Sequence, residues 1–474
     1  GWVPESAFAL ADAVLPPVPT AADLRTSHLR AVATARVWGR ELALADEAGS
    51  VFGYQLGPGG WEPDSCLRLT DPEPWVVAGP ESVKLAQVTG HRDATPTPWG
   101  ERAATLSDSL ATAGVRGTDL GVRVDHAGRT FLLFGDTHWT RRWLATRDAI
   151  AEVGDPDADR PSVRFHGAPL KLVGRAAGRV TMREYDVPLD GFSHGGRLYA
   201  FFTTNHFRQH RVMGRSVLAR AVAADPVVDP AVRRHPLRFE VLGTFSDRHF
   251  INASVQLRPA AEVPGCAGEG PVLLVWGSGP YRASAARLAV LDQAALARLA
   301  DGLPPAEVGI RYWAGEGWSD AEADAAPLFT PAALGELSVR WVEAAGRYLM
   351  LAASGPEEAI GPAVVLRSAP RPQGPWSARV RLLDWVATGM SADPHTRFIK
   401  ASRQGDPVGD QVFRAQASVT GAAYAPYLFD AVAEADDLVL RYTLSTWNPY
   451  QVVLMRHRLP LAALRWTRPE GRWG

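Results

Sequence analysis

The chain has 474 residues, of which 46% are hydrophobic and 21% charged, a composition typical of globular proteins. Its 50 Lys and Arg residues against 51 Asp and Glu residues give a formal net charge of -1. The sequence contains neither a basic block that could follow nucleic-acid phosphates or anionic lipids nor an apolar stretch of ~20 residues, so it argues against nucleic-acid and membrane partners. The two cysteines, Cys66 and Cys266, are compatible with a disulfide or with two separate buried thiols.

The first 82 residues differ in pattern from the rest of the chain. An Ala-rich segment over Thr20–Arg36 has apolar residues at loosely helical spacing and predicts a helix, and Val37–Leu56 predicts a β-hairpin. We expect residues 1–82 to be an N-terminal extension that packs on the domain formed by residues 83–474.

One pattern recurs five times after residue 83. It consists of a Gly-containing turn, a short apolar strand ending in small or polar residues, and a second strand carrying Arg. The copies begin at Gly128, Gly196, Gly270 and Gly346, with a looser fifth copy at Asp436. A short segment precedes each copy: TDLGVRV, GFSHGG, NASVQLR, ELSVRWV and YAPYLF.

These pieces make up most of a four-stranded antiparallel blade. A single blade cannot bury both of its faces, so the copies must stack around a common axis. The sequence therefore predicts an all-β fold, a five-bladed β-propeller with an N-terminal extension and small helical inserts. One such insert is the Ala- and Leu-rich segment Asp292–Asp301.

Polar residues in the five inner segments are the first candidates for a functional site, because the first strand of every blade lines the central channel of a propeller. Asp136, in FGDTHW, directly follows an apolar strand, where partial desolvation would raise the pKa of its carboxyl group and suit a general acid. Asp119 lies on the preceding strand of the same blade, so both carboxylates could face one cleft. An Asx turn at Asp136 is the structural alternative, and Glu336 is the reserve catalytic candidate.

A second group of polar and aromatic residues is predicted to bind substrate by hydrogen bonding or stacking. They are His138, Trp139, His194, Asn205, Asn252, Tyr281, Arg282, Ser338, Tyr427, Trp447, Asn448 and Tyr450. For each histidine the alternative is a structural role. No spacing resembles a metal triad, a Gly-x-Ser-x-Gly elbow or a phosphate loop. We therefore predict no metal ligand and no cofactor, while a structural cation in the central channel stays open.

Taken together, the segments resemble a known family. TDLGV, LFGDTHW, NASVQL, GELSVRWV and STWNPYQVVLM occur in the order found in the domain of unknown function 4185 family, which includes the endo-D-arabinofuranosidases of glycoside hydrolase family 183. The resemblance covers roughly residues 83–460 and does not extend to residues 1–82. It implies a five-bladed propeller whose two catalytic aspartates fall on Asp119 and Asp136, and it favours a secreted or cell-envelope location.

The resulting hypothesis is a glycoside hydrolase, endo-acting on the D-arabinan of actinobacterial cell-wall polysaccharide. One aspartate, preferably Asp136, would protonate the departing sugar oxygen while Asp119 acts as base or nucleophile. The expected partner is a polysaccharide or oligosaccharide, and the oligomeric state stays open. The alternatives are a lectin-like propeller without catalysis, a polysaccharide lyase on the same scaffold and a protein-interaction propeller.

Overall fold

The structure is a computed structural model, and it describes most of the chain beyond residue 75. The described residues are 30–37, 40–47, 50–57, 60–70, 75–141, 147–205, 214–279, 283–329, 333–355, 360–401, 406–409, 412 and 419–465. Within these ranges, side chains are described from residue 77 onward, except at Ala283, Leu334 and Arg465. Cys266 is a free thiol, and the side chain of Cys66 lies outside the described part.

The N-terminal region contains an antiparallel four-stranded sheet. Its strands are β1 (Arg30–Val37), β2 (Arg40–Glu47), β3 (Ser50–Gly57) and β4 (Gly60–Thr70), in that order. The helix predicted over Thr20–Arg36 is wrong from Arg30 onward, because the β-branched residues of this segment favour a strand and its backbone pairs with β2. The hairpin predicted over Val37–Leu56 is present as β2 and β3.

Five sheets follow, one for each copy of the sequence repeat. The strands of each blade are given from the channel outward. Blade 1 consists of β8 (Leu120–His126), β9 (Arg129–Phe134), β11 (Ala149–Gly154) and β12 (Ser162–Phe165). Blade 2 consists of β14 (Pro188–His194), β15 (Arg197–Thr204), β16 (Arg215–Ala221), β17 (Arg238–Ser246) and β13 (Lys171–Val173). Blade 3 consists of β18 (Asn252–Pro259), β19 (Pro271–Ser278), β21 (Arg287–Leu291), β22 (Arg311–Trp313) and β23 (Trp318–Ser319).

Blade 4 consists of β24 (Ala333–Val342), β25 (Arg347–Ser354), β26 (Ala363–Ala369), β27 (Arg379–Asp384) and β5 (Trp75–Val77), and β20 (Ala283–Ser284) pairs with the other side of β24. Blade 5 consists of β28 (Ala422–Glu434), β29 (Asp437–Trp447), β30 (Gln451–Pro460) and β6 (Val83–Gln87).

A two-stranded sheet and two short helices lie outside the five blades. β7 (Val115–Gly117) pairs with β10 (His138–Trp139) beside blade 1. The described part of the chain has two α-helices, α1 (Ser109–Thr112) and α2 (Gln293–Ala300). The second is the insert predicted over Asp292–Asp301, and Asp292 caps it by accepting a hydrogen bond from the Ala295 amide.

The inner strands β8, β14, β18, β24 and β28 close into a ring, since each contacts the next and β28 contacts β8. The ring is joined within blade 5, where β6 pairs with β30 from the last repeat. Both chain ends of the propeller therefore meet in one sheet. The prediction of an all-β five-bladed propeller with small helical inserts is confirmed.

Among the described residues, an apolar layer lies between each pair of adjacent blades. β9 shows how a strand serves two layers: Phe131 and Leu133 pack toward blade 2, whereas Leu132 and Phe134 pack toward blade 5. Because successive side chains point to opposite faces and both faces are buried, such strands are continuous apolar runs. This explains the uninterrupted FLLF of the first repeat.

A buried ion pair crosses the central channel halfway along its length. The Arg340 guanidinium donates to both carboxylate oxygens of Asp190, each at 2.8 Å, and to the backbone carbonyls of Arg123, Val255 and Val339. These partners lie on the inner strands of four blades, so the guanidinium sits inside the channel. It separates the channel into two mouths and provides the positive charge at this level.

Candidate active site

Three aspartates lie along the same edge of blade 1, at the ends of three adjacent strands. Asp119 precedes β8, Asp136 follows β9 after one glycine, and Asp148 precedes β11. Leu120 and Ala149 both pair with Phe134, which aligns these strand ends. The three residues are 7%, 6% and 0% exposed, in that order.

Blade 5 holds the carboxylate of Asp119. Its Oδ2 accepts hydrogen bonds from the hydroxyls of Tyr424, at 2.9 Å, and Tyr450, at 2.7 Å. Gly135 allows β9 to come this close, because a Cβ at that position would lie 2.6 Å from Asp119 Oδ1. The glycine of FGDTH is therefore a steric requirement of the neighbouring carboxylate.

Asp136 has a less polar environment. Its Oδ2 accepts from the backbone N–H of Tyr185 at 2.8 Å, and its Oδ1 has no hydrogen-bond partner among the described residues. Burial, together with the negative charge of Asp119, raises the pKa of Asp136 well above the usual value for an aspartate. The carboxyl thus bonds a distant loop instead of capping its own turn, and it is suited to carry a proton.

Asp148 was not found by sequence reasoning. Neither of its carboxylate oxygens has a partner among the described residues, and burial with the charges of Asp136 and Asp119 raises its pKa well above the usual value. It directly precedes β11, the third strand of blade 1, for which the sequence showed no repeat segment. The available signal was an aspartate directly before the apolar segment AIAEV of β11.

Aromatic residues border Asp119. The rings of His138 and Trp447 each make an edge contact with Tyr450, with centroids 5.3 and 5.7 Å apart. Burial and the charge of Arg116 lower the pKa of His138 to about 4, so its imidazole is neutral at pH 7. A neutral imidazole can both donate and accept a hydrogen bond.

Four other predicted residues lie toward the same mouth. Asn205, just after β15, accepts from Thr204 Oγ1 at 2.8 Å, and Asn252 is the first residue of β18. Glu336 lies in β24 and Tyr427 in β28, and both are buried. The pKa of Tyr427 is raised by burial and then by the charges of Glu336, Asp190 and Asp119, so this ring lies among those carboxylates.

The structure does not bring four other predicted residues into this group. His194 ends β14 at the opposite mouth, and Trp139 packs in the core between blades 1 and 5, where its indole N–H donates to the Arg147 carbonyl. The Ser338 hydroxyl accepts from the Leu428 amide, and the Asn448 amide donates to the Val419 carbonyl. Three of these side chains therefore bond the protein's own backbone, and the fourth, His194, lies at the end of its strand away from the aspartates.

Tyr281 and Arg282 were also predicted to bind substrate. Both lie outside the described residues.

A concavity lies at the opposite mouth of the channel, with Arg340 in its lining. It has a volume of about 620 Å³ and is lined by the far ends of the inner strands, including Arg123, Gln256 and Trp341. The Arg123 side chain already donates to Asp125 and to the Phe429 carbonyl. The three aspartates of blade 1 are not part of this concavity.

Within the described ranges, no three His, Cys, Asp or Glu side chains are arranged to hold a metal ion. No helix in the described part of the chain is both long enough and apolar enough to cross a membrane. The expectation that the protein needs no cofactor stays a prediction.

Comparison with known proteins gives one family match. The family described as domain of unknown function (DUF4185) matches residues 106–456, a range that includes all three aspartates and all five inner strands. No curated protein matches the sequence.

Similar solved structures share little sequence with this chain. A proposed hydrolase from Bacteroides ovatus is 12% identical, with a TM-score of 0.44, over 77% of this chain and 91% of the other. The alpha-L-arabinanase of Cellvibrio cellulosa is 13% identical, with a TM-score of 0.35, over 72% and 91%. A family 117 glycoside hydrolase from Zobellia galactanivorans is 12% identical, with a TM-score of 0.36, over 82% and 95%.

Proposed function

The chain belongs to the domain of unknown function 4185 family, and we propose that it is a glycoside hydrolase in which Asp119 and Asp136 form the catalytic carboxyl pair. The observation that carries this proposal is the contrast between two buried carboxyls at one channel mouth. Asp119 accepts two tyrosine hydroxyls, whereas Asp136 accepts one amide and has a raised pKa. Carboxyl pairs with divergent environments are how enzymes assign acid and base roles to identical groups.

Asp136 acts as the general acid and transfers its proton to the glycosidic oxygen as the bond to the anomeric carbon breaks. Asp119 stays ionised and either attacks the anomeric carbon or takes a proton from the attacking water. Its negative charge also stabilises the oxocarbenium-like transition state. The hydroxyls of Tyr424 and Tyr450 hold the carboxylate in place during this step.

The substrate in this proposal is a polysaccharide or oligosaccharide. We propose endo-cleavage of arabinofuranosyl linkages in D-arabinan of the actinobacterial cell wall, because the ordered motifs resemble the domain of unknown function 4185 family, which includes the endo-D-arabinofuranosidases of glycoside hydrolase family 183. The aromatic edge formed by His138, Trp447 and Tyr450 supports a sugar ligand, because aromatic surfaces pack against the apolar faces of sugar rings. This substrate would place the protein outside the cytoplasm or in the cell envelope.

The test uses Asp119→Asn and Asp136→Asn, assayed on D-arabinan, arabinogalactan and pyranose polymers with product sizes resolved. We expect each substitution to lower kcat by about 10³-fold or more, since it removes an acid–base or nucleophilic group. Asp125→Asn is the matched control, because Asp125 lies on the same inner strand at the opposite mouth.

Near-wild-type activity in both folded variants would refute the catalytic assignment. Binding of glycan without new reducing ends would indicate a lectin-like protein, and unsaturated products absorbing in the ultraviolet would indicate a lyase.

A further inference from the structure

Asn252 is a buried amide whose polar atoms none of the described residues satisfies. The residue is 1% exposed, and neither Nδ2 nor Oδ1 has a hydrogen-bond partner among the described residues. A buried polar group without a partner costs free energy, and native proteins rarely retain one without a reason. The position at the channel mouth, at the start of β18, suggests that the missing partner is a ligand.

Side chains of β18 accept hydrogen bonds from backbone amides of β24 in the neighbouring blade, and this series stops before Asn252. Along β18, Gln256 Oε1 accepts from the Trp341 amide at 2.7 Å, and Ser254 Oγ accepts from the Val339 amide at 2.9 Å. The same spacing would give Asn252 the amide of Leu337. However, the pairing of β24 with β25 is irregular between Leu334 and Ser338, the stretch that contains Leu337, and Asn252 makes no such bond.

The same irregularity in β24 contains Glu336, on the inner strand next to Asn252. Tyr427 from blade 5 lies within the electrostatic influence of both Glu336 and Asp119. Polar groups therefore continue across the mouth from the aspartates of blade 1 to the inner strands of blades 3 and 4.

Ser284 adds a second buried polar atom beside Asn252. Its hydroxyl has no partner among the described residues and lies against Gly279, 3.5 Å from where a Cβ on that residue would be. Gly279 follows Ser278, which is the strand partner of Asn252. The Asn252 amide and the Ser284 hydroxyl, both without a partner among the described residues, therefore lie in the same part of the channel mouth.

We infer that the Asn252 amide, assisted by the Ser284 hydroxyl, is a subsite for two adjacent hydroxyl groups on one sugar ring. Nδ2 donates to one hydroxyl and Oδ1 accepts from its neighbour, which is the pairing that a planar amide offers to a vicinal diol. The ring is the one whose glycosidic bond lies against Asp119 and Asp136. This inference rests on the proposed glycosidase function and makes Asn252 a specificity-determining residue for sugars with two free neighbouring hydroxyls.

A ligand-binding role and a structural role for Asn252 predict opposite effects on stability. If the amide serves a ligand, Asn252→Leu removes an unsatisfied buried group of similar size and should raise Tm while it weakens substrate use. If the amide were structural, the same substitution would lower Tm. Gln256→Ala is the matched control on the same face of β18, because its amide is already used by Trp341.

The experiment measures Tm and kcat/KM for wild type, Asn252→Ala, Asn252→Leu and Gln256→Ala on a D-arabinofuranosyl oligosaccharide. The two Asn252 variants should lose about 10- to 100-fold in kcat/KM, the effect of removing two neutral hydrogen bonds. For an analogue that lacks one hydroxyl of the bound sugar ring, the difference in kcat/KM between wild type and the Asn252 variants should be much smaller. Unchanged kcat/KM, or a lower Tm for Asn252→Leu, would overturn the inference.

Binding of the same oligosaccharide, measured by calorimetry, separates this inference from the proposed function. Hydrolysis that is unaffected in the Asn252 variants contradicts the subsite and leaves the hydrolase intact. Binding without hydrolysis, weakened in those variants, supports the subsite and contradicts the hydrolase. If wild type neither binds nor cleaves furanose and pyranose oligosaccharides, both proposals fail.

Discussion

Single residues of blade 1 show how three identical carboxyl groups can acquire different chemistry. Asp119 accepts two hydroxyl donors, Asp136 accepts one backbone amide, and neither oxygen of Asp148 has a partner in the part of the chain described. Fewer donors leave the charged form less stabilised, and burial adds to the effect. Asp136 and Asp148 therefore retain a proton more readily than an ordinary aspartate does.

Asp148→Asn tests this arrangement through the pH dependence of stability. The folded protein keeps a proton on Asp148 at pH values where an unfolded aspartate, with a pKa of about 3.9, has lost it. The folded state then binds more protons than the unfolded state, so this residue's contribution to stability falls as the pH rises above about 4. Asparagine does not titrate, so the stability of the Asp148→Asn variant should not show this decrease.

The measurement is Tm from pH 3 to 8 for both proteins. We expect the Tm of Asp148→Asn, relative to the Tm of wild type, to rise progressively above pH ~4. Asp225→Asn, at an exposed carboxylate that pairs with Arg129, is the control. If the difference in Tm between wild type and Asp148→Asn does not change with pH, Asp148 is not protonated in the folded protein.

Strand irregularities at the channel mouth shape the candidate site at the level of elements. Four of the five inner strands change register within their first few residues, namely β8, β14, β24 and β28. Bulges redirect side chains and are common beside active sites. Here they rotate the backbone where Asp119, Glu336 and Tyr424 leave the regular ladder, and the one in β24 leaves the Asn252 amide without its expected partner.

Gly135→Ala tests the close approach of β9 to Asp119. The added Cβ would lie 2.6 Å from Asp119 Oδ1 and 2.7 Å from Val187 Cγ1, so one of these groups must move. We expect kcat/KM to fall about 10- to 100-fold with the fold retained, because small displacements of a catalytic group are costly.

Circular dichroism and kinetics check this expectation, with Gly317→Ala as control, since a Cβ at Gly317 would meet nothing within 4 Å. Full activity in Gly135→Ala would mean that the position of Asp119 tolerates the change.

At the scale of the whole molecule, the propeller depends on contacts that cross blade boundaries. Apolar layers hold adjacent blades together, β6 joins the two ends of the ring, and Arg340 connects the inner strands of four blades through Asp190 and backbone carbonyls. The mouth that holds the aspartates can therefore form only when the ring is closed.

Arg340→Met should destabilise the protein by about 3–5 kcal/mol, because it leaves the Asp190 carboxylate buried without its ion partner. The double variant Arg340→Met/Asp190→Leu should recover part of this loss, since neither charge is then left unpaired. Chemical denaturation measures both, and Arg458→Met, in an exposed ion pair with Glu434, serves as the surface control. Equal stability of wild type and Arg340→Met would contradict a structural role for this pair.

Local sequence patterns determined the blades and their number. Runs such as FLLF are apolar at every position because both strand faces are buried, and their fivefold recurrence with Gly-containing turns is a short-range property. The placement of Asp119 and Asp136 together followed from the same logic, since the end of one strand and the start of its antiparallel neighbour lie at one edge.

Only the tertiary structure decided which polar residues share the mouth of the channel. His194 lies at the far end of its strand, Trp139 turns into the core, and Ser338 is taken by a neighbouring amide, although each resembled a site residue in sequence. Asp148 and the unsatisfied amide of Asn252 became visible only through burial and register. The physical reason is that hydrogen-bond satisfaction depends on partners from other blades, which become neighbours only when the ring closes.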